Sequence, residues 1–209
     1  MKKILLINAH QTYAGFSEGG LNKTIINVIT ENLLARGCEV IHSHIEQSYD
    51  VEKEVEKHLW ADLIITQSPV FWCALPWIYK KYIEEVFNEG LYQKTFVLDD
   101  GRTREDPSKQ YGTGGQMQGR KYMLSLTWNA PQEAFSDKNQ LLFAGKSVDD
   151  LFASNMAVYK FCGIELLPSF SCFNVVKAPT IETDMIRLKQ RLDSLFDDTS
   201  EALEMQSDT

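Results

Sequence analysis

Hydrophobic positions along the first 35 residues follow two different periods. The apolar run at residues 3–8 predicts a strand that is buried on both faces. From Leu21 to Leu33 apolar residues recur at helical spacing, with polar residues between them. A buried strand, a polar loop and an amphipathic helix together form the first half of a βαβ unit.

The same alternation continues along most of the chain. Further strands are predicted at 39–45, 60–67, 121–127 and 164–173, and further helices at 51–59, 78–87, 148–159 and 181–195. Polar interruptions in the second strand and Pro168 in the fifth place both at sheet edges, whereas the apolar third strand is expected near the centre. Right-handed crossovers put helices on both faces of a parallel sheet. The pattern therefore predicts one α/β domain with a doubly wound, five-stranded parallel sheet.

Two boundaries complete this organisation. The helix at 78–87 is expected to stop at Gly90, since glycine is common just after a helix end. The domain is expected to cover residues 1–196. Residues 197–209 are acidic and have little to bury, which predicts a mobile tail.

Composition and charge limit the possible partners. The 209 residues are enough for one large domain, and 44% of them are hydrophobic. The formal net charge of -8 argues against a nucleic-acid partner and implies that any bound phosphate is held locally, by amides, hydroxyls and one or two lysines. The four cysteines show no C-x-x-C spacing and predict free thiols in a reducing compartment. With no signal peptide and no apolar stretch near the length of a membrane span, we expect a cytoplasmic protein.

Three loops leave the carboxyl ends of predicted strands, at residues 9–20, 68–76 and 127–131. The first lacks the G-x-G-x-x-G fingerprint but offers hydroxyls and amides before a helix start, which suits a phosphate; alternatively, Ser17 or Asn22 merely caps the helix. The second loop and the residue that follows it, together residues 68–77, contain two prolines and three large aromatic residues, which suits a flat ligand or packing against neighbours or another subunit. In an open parallel sheet such loops meet at the switch point, where ligands bind.

Two other features leave alternatives open. Residues 91–120 are polar, charged and glycine-rich, with Tyr111 beside three glycines, and a connection this long is usually functional, although a disordered insertion is the alternative. His42 and His44 share one strand face. We expect an exposed pair rather than a metal site, because no third ligand is near in the sequence.

Two stretches resemble a known family: WNAP at residues 128–131 and DGRTREDPSK at residues 100–109. The chain is similar to the flavodoxin-like NAD(P)H:quinone oxidoreductases from its first strand to about residue 196, and the run KYMLSLTWNAP at residues 121–131 is the most specific part. The resemblance implies strand order 2-1-3-4-5, FAD bound at a homodimer interface, NADPH as electron donor and a quinone as acceptor. It also implies two-electron, ping-pong hydride transfer through the flavin N5.

The same resemblance implies the site residues. The pyrophosphate and ribityl side would use Ser17, Gly19, Gly20, Leu21, Asn22, Lys23 and Thr24. The isoalloxazine would lie along Pro69, Val70, Phe71, Trp72 and Cys73, with Trp72 stacking on the ring, and its polar edge would contact Thr127, Trp128, Asn129 and Ala130. Phe71, Trp72 and Trp128 would form an apolar wall. Tyr111 would close over the flavin and donate a hydrogen bond to the quinone oxygen, and no metal is needed.

Two other functions fit the same fold. A flavodoxin-like carrier would bind FMN and pass single electrons to a basic protein partner, on which an acidic surface could dock. A flavin-free binding module is also possible, because fold alone does not define function.

Overall fold

A computed structural model of this protein describes the backbone of residues 2–204 and the side chains of residues 2–196. Its strands, all parallel, are β1 (Lys3–Asn8), β2 (Glu39–His44), β3 (Leu63–Pro69), β4 (Lys121–Thr127), β5 (Glu165–Leu166) and β6 (Phe170–Cys172). The order is β2-β1-β3-β4-β5, with β6 also paired to β4. The predicted order is confirmed. The fifth predicted strand is split in two around Pro168, whose nitrogen cannot donate to a ladder.

Six helices cover the two faces: α1 (Gly20–Ala35), α2 (Val51–Trp60), α3 (Trp77–Tyr92), α4 (Val148–Leu151), α5 (Ala153–Phe161) and α6 (Ile181–Glu204). Alternate side chains of each strand point to opposite faces. Ile4 and Leu6 therefore pack under α1 and α6, in a mainly aliphatic core. Leu5 and Ile7 pack in the larger, aromatic-rich core under α2, α3 and α5.

Three predicted boundaries differ from those of the structure. The third strand starts at Leu63 because α2 extends to Trp60. The helix α3 runs through Gly90, where a Cβ would lie 2.5 Å from the ring of Phe96, so this glycine serves close packing and does not end the helix. The predicted helix at 148–159 is divided into α4 and α5 at Phe152.

The tail prediction is only partly within reach of the structure. The backbone of α6 is helical to Glu204, beyond the predicted boundary at residue 196. The side chains of residues 197–204 and all of residues 205–209 lie outside the described residues. The acidic, mobile tail therefore stays a prediction.

Residues 93–120, the amino-edge segment, contain no helix or strand element, as predicted. The segment connects the end of α3 to the start of β4, so it lies at the sheet edge where strands begin. The segment is nevertheless anchored to the rest of the domain. Phe96 and Met117 are fully buried, and the backbone N–H of Met117 donates to Cys162 O at 2.8 Å. The described part of the chain includes no helix with the length and apolar character of a membrane span.

Candidate functional site

An open cleft of about 500 Å³ lies at the carboxyl edge of the sheet, where the strands end. Ten of the residues predicted for the site line it: Ser17, Gly19, Gly20, Leu21, Asn22, Pro69, Val70, Phe71, Thr127 and Asn129. Six others line it without having been predicted: His10, Gly15, Phe16, Glu18, Val175 and Val176. The three loops from β1, β3 and β4 thus share one cleft, as expected from the topology.

The first turn of α1 opens directly into this cleft. Gly19 is the N-cap residue, with φ 78°, and no side chain caps the helix. The alternative in which Ser17 or Asn22 is a helix cap is therefore wrong. Lys23 donates the first backbone bond of the helix, to Gly19 O at 2.9 Å, which leaves the preceding N–H groups available. A Cβ on Gly20 would meet no atom within 4 Å, so there is room for an anion beside these donors.

His10 forms a wall of the cleft that the sequence patterns did not reveal. Its Nε2 lies 3.1 Å from Ser17 Oγ, and its Nδ1 lies 3.8 Å from Glu46 Oε2. The ring also packs on Gly19, where a Cβ would be only 2.8 Å from the imidazole. Burial lowers the pKa of His10, although the Glu46 carboxylate opposes this shift. A histidine two residues past the end of β1 was the available sequence signal.

A chain of polar side chains, the amide relay, lies under the cleft and consists of the half-buried Asn8 and the buried Asn22, Gln67 and Ser125. Ser125 Oγ donates to Gln67 Oε1 at 2.5 Å, and Gln67 Nε2 donates to Asn22 Oδ1 at 3.0 Å. Asn22 Nδ2 then donates to Asn8 Oδ1 at 2.7 Å. The relay ties the first turn of α1 to the ends of β1, β3 and β4. Gln67 and Ser125 are fully buried.

The loop after β3 supplies the apolar wall of the cleft through Phe71, not Trp72. Phe71 and Ala74 exchange two backbone hydrogen bonds, at 2.9 and 3.0 Å, around a turn in which Trp72 and Cys73 have φ of 52° and 62°. This turn directs Trp72 out of the cleft, and its side chain is fully exposed. Trp72 therefore does not line the cleft of its own chain, and its predicted stacking role stays a prediction.

Phe71 instead belongs to a small aromatic group on the cleft rim. The ring centroid of Tyr13 lies 5.4 Å from that of Phe71, in an edge-to-face arrangement, and that of Phe16 lies 6.3 Å away. Cys73 is exposed, while the other three cysteines are buried, and all four are free thiols as predicted.

The loop after β4 contributes only half of its predicted residues to the cleft. Thr127 and Asn129 line it, but Trp128 is buried in the core, with its ring centroid 4.8 Å from that of Phe135. The backbone N–H of Trp128 donates to Cys172 O at 2.9 Å and is not free for a ligand. Of the three residues predicted for the apolar wall, Phe71 lines the cleft of this chain, whereas Trp72 and Trp128 do not. Ala130 is half-buried beside the core rather than in the cleft.

Three further predicted residues do not line the cleft. Lys23 and Thr24 are exposed on α1, and the Thr24 hydroxyl donates to Gly20 O at 3.1 Å. Tyr111 lies at the opposite edge of the sheet, in the amino-edge segment, with its ring centroid 5.2 Å from that of Phe161 at the end of α5. Tyr111 therefore does not reach the cleft of its own chain, and its predicted position over a flavin at a homodimer interface stays a prediction.

No metal centre accompanies the cleft. Within the described residues, no three His, Cys, Asp or Glu side chains are grouped so as to hold a metal ion. The rings of His42 and His44 stack on β2 with their centroids 6.0 Å apart. The uncapped first turn of α1 and the wall at Phe71 together make the cleft suited to binding an anion beside a flat apolar group.

Several known proteins are similar to this chain in sequence or in fold. A family model described as flavodoxin-like fold matches residues 2–195. NADPH:quinone oxidoreductase MdaB of Haemophilus influenzae is 42% identical over 193 residues, which cover 92% of this chain and 98% of that protein. A proposed quinone reductase from Klebsiella pneumoniae has a similar fold, with a TM-score of 0.75 and 24% identity over 94% of this chain and 86% of its own.

General stress protein 14 of Treponema denticola, solved in complex with FMN, superposes with a TM-score of 0.63 at 17% identity, covering 93% of this chain and 99% of its own. Below 25% identity these two structures support the fold alone. The match of the family model and the likeness to the Haemophilus protein extend over nearly the whole chain. This chain therefore belongs to the flavodoxin-like family that includes these NAD(P)H:quinone oxidoreductases.

Proposed function

We propose that this protein is an NADPH:quinone oxidoreductase whose flavin occupies the cleft at the carboxyl edge. The observation that carries the proposal is one cleft with two unlike ends: the uncapped first turn of α1 and the apolar wall at Phe71. A helix N-terminus suits a phosphate, and an aromatic wall suits a flat ring. The Haemophilus relative with 42% identity is named for this activity.

The residues of the cleft fit a flavin phosphate without formal positive charge. No lysine or arginine is among the described residues that line the cleft, and Glu18 is the one acidic side chain there. Phosphate binding would therefore rely on the N–H groups of the first turn of α1 and on the polar atoms of Ser17 and His10. This agrees with a net charge of -8, which offers a phosphate no favourable long-range field.

We propose FAD as the flavin, as the sequence resemblance implies, and FMN is the alternative because the Treponema protein is in complex with FMN. The bound flavin supplies the hydride chemistry, with NADPH and a quinone reacting in turn. The chain's own part is to position the ring and keep water away. Phe71 and Pro69 would pack along it, while Thr127 and Asn129 would offer polar atoms to its edge.

We further propose a homodimer in which the cleft is completed by Tyr111 of the partner subunit. Trp72 is fully exposed and Phe16 is 80% exposed beside the cleft, and aromatic side chains so exposed are typical of interfaces. Tyr111 lies at the opposite edge of its own sheet, so it can contribute only across such an interface. There its hydroxyl would donate to the quinone oxygen. A cytoplasmic location also remains part of the proposal.

A second candidate is an FMN electron carrier that docks on a basic protein. The net charge of -8 and the FMN complex of the Treponema protein favour it. The two candidates differ in whether the protein oxidises NADPH without a separate reductase.

One preparation tests these proposals together. Purified protein is expected to be yellow, to release FAD on denaturation as identified by chromatography, and to oxidise NADPH with menadione and no added reductase. Released FMN, with no direct NADPH oxidation, would favour the carrier. Colourless protein that takes up no flavin when FAD or FMN is added would refute both.

A further inference from the structure

We propose that Gln67 is a positioning residue for the flavin cleft, acting through the amide relay without touching the ligand. The inference rests on the proposed function, because it concerns the geometry of the flavin site. Gln67 is fully buried at the carboxyl end of β3, is absent from the cleft lining, and contacts relay members on both sides.

The relay has a single hydrogen-bond direction. Each amide accepts with its oxygen from the preceding group and donates with its nitrogen to the next, from Ser125 through Gln67 and Asn22 to Asn8. At its end, Asn8 Oδ1 also accepts from the backbone N–H of His10, at 3.1 Å. Because buried amides left unpaired are unfavourable, reversing one member would force the others to turn as well.

This direction connects the two ends of the cleft. Ser125 precedes Thr127 by two residues on β4, at the end expected to hold the ring. Asn22 lies in the first turn of α1, and His10 contacts Ser17 at the phosphate end. Since no side chain caps α1, the relay is what ties its first turn to the strand ends. Gln67, at the middle of the relay, therefore sets the position of both ends.

The sharpest test is Gln67→Glu, which keeps the size of the side chain and changes its donors. An ionised carboxylate can still accept from Ser125 but cannot donate to Asn22 Oδ1, so the relay is broken. A protonated carboxyl group can do both, because its hydroxyl replaces the amide N–H. Gln67→Leu removes both contacts at every pH. The pH dependence of the Glu variant therefore distinguishes hydrogen-bond direction from simple loss of packing.

The measurement is the dissociation constant of FAD from apoprotein, by fluorescence titration between pH 5.5 and 9.5, with wild type measured at each pH. At pH 9.5, where even a buried carboxyl group ionises, we expect both Gln67 variants to bind FAD about tenfold more weakly than wild type. On lowering the pH, Gln67→Glu should approach wild type, whereas Gln67→Leu should not. Ser68→Ala is the matched control: it is the next residue on β3 and equally buried, but lies outside the relay and should change the constant by less than about threefold.

Thermal melting and far-ultraviolet circular dichroism show whether each variant is folded. If the Gln67 variants do not fold, Ser125→Ala removes the first donor of the relay and is expected to weaken FAD binding without loss of fold. Equal FAD affinity in wild type and all folded relay variants would overturn the role of Gln67 while leaving the proposed function intact. Wild-type protein that binds no flavin would overturn both.

Discussion

Both edges of the sheet carry glycine-rich loops, and individual glycines at the two edges differ in the space around them. At the carboxyl edge, a Cβ on Gly20 would enter open space beside the first turn of α1. At the amino edge, a Cβ on Gly114 would lie 2.1 Å from Asp99 O, and one on Gly115 would lie 2.2 Å from the carbonyl carbon of Cys162. Glycines of the first kind open a cleft, whereas those of the second let the chain pack on itself. Glycine content alone therefore does not identify a site.

The two edges also hold differently solvated histidines. His10, beside the cleft, has a side-chain partner at each ring nitrogen, in Ser17 and Glu46. His58, packed against Phe96 of the amino-edge segment, is completely buried; its Nδ1–H donates to Glu54 O at 2.8 Å, and its Nε2 has no hydrogen-bond partner. His58 thus belongs to a packed aromatic core behind the amino-edge segment, whereas His10 belongs to the polar wall of the cleft.

The largest expected effect is on enzymatic activity, in hybrid dimers that combine the carboxyl edge of one chain with the amino edge of the other. Tyr111→Ala is expected to lose quinone turnover, and Gly20→Glu is expected to lose flavin, because a carboxylate in the cleft repels phosphate. In an equal mixture of refolded chains, half of the dimers are hybrids, and each hybrid has one intact site. Activity should then return to about one quarter of the wild-type value, measured as menadione-dependent NADPH oxidation.

Each variant refolded alone is the control for this mixture and should stay inactive. Hybrids no more active than their parents would show that Tyr111 does not complete the cleft of another chain. Such a result would leave the amino edge with a structural role only.

The next effect concerns packing at the amino edge. Gly115→Ala should lower the free energy of unfolding by at least about 3 kcal/mol, because the added Cβ meets the backbone at Cys162, which cannot give way. Chemical denaturation with urea measures this change. Flavin affinity of the folded fraction should stay that of wild type, since Gly115 is far from the cleft lining. Weaker flavin binding at unchanged stability would contradict the assignment of this edge to packing.

Acid is expected to lower the free energy of unfolding by an amount similar to that of the Gly115 substitution. Burial lowers the pKa of His58 from 6.5 to about 4, so between these values the unfolded chain binds a proton that the folded protein does not. Stability should therefore be complete above pH 6.5 and fall as the pH approaches 4. The difference between a pKa of 6.5 in the unfolded chain and about 4 in the folded protein corresponds to about 3 kcal/mol of the free energy of unfolding.

The variant His58→Phe isolates this contribution. Burial also lowers the pKa of His10 and His42, which adds a slope of the same sign in both proteins. The difference between wild type and variant, from urea denaturation at pH 4.5 to 7.5, therefore reports His58. Parallel pH profiles would mean that His58 is not held neutral.

Much of the fold, and part of the site, could be predicted from the sequence. Hydrophobic periodicity predicted the alternation of strands and helices that forms the sheet and its two helical layers. Parallel topology predicted that loops 9–20, 68–76 and 127–131 share an edge. The same topology contained the answer for Tyr111, since a connection from a helix to the next strand must lie at the amino edge. The family resemblance implied a role for Tyr111 but did not say which subunit of a dimer would supply it.

Other errors depended on contacts that no local pattern encodes. Whether Phe71 or Trp72 faces the cleft depends on the left-handed turn at residues 72 and 73, which two non-glycine residues do not suggest. Gly90 looked like a helix end, but the ring of Phe96 requires glycine there. Trp128 appeared in a predicted ligand loop, yet its neighbours Phe135 and Phe143 come from a later excursion of the chain.

The smallest effect on stability should be at Gly20, and it is the most informative about the cleft. Gly20→Ala adds a Cβ that meets nothing, at a helical position where alanine is favoured, so the free energy of unfolding should change by less than about 1 kcal/mol. The same methyl group would stand beside the free N–H groups of α1, and FAD affinity should fall. Gly115→Ala is the matched variant with the opposite pattern, a large loss of stability with unchanged affinity. If Gly20→Ala left FAD affinity unchanged, the phosphate would have to lie elsewhere in the cleft, away from the first turn of α1.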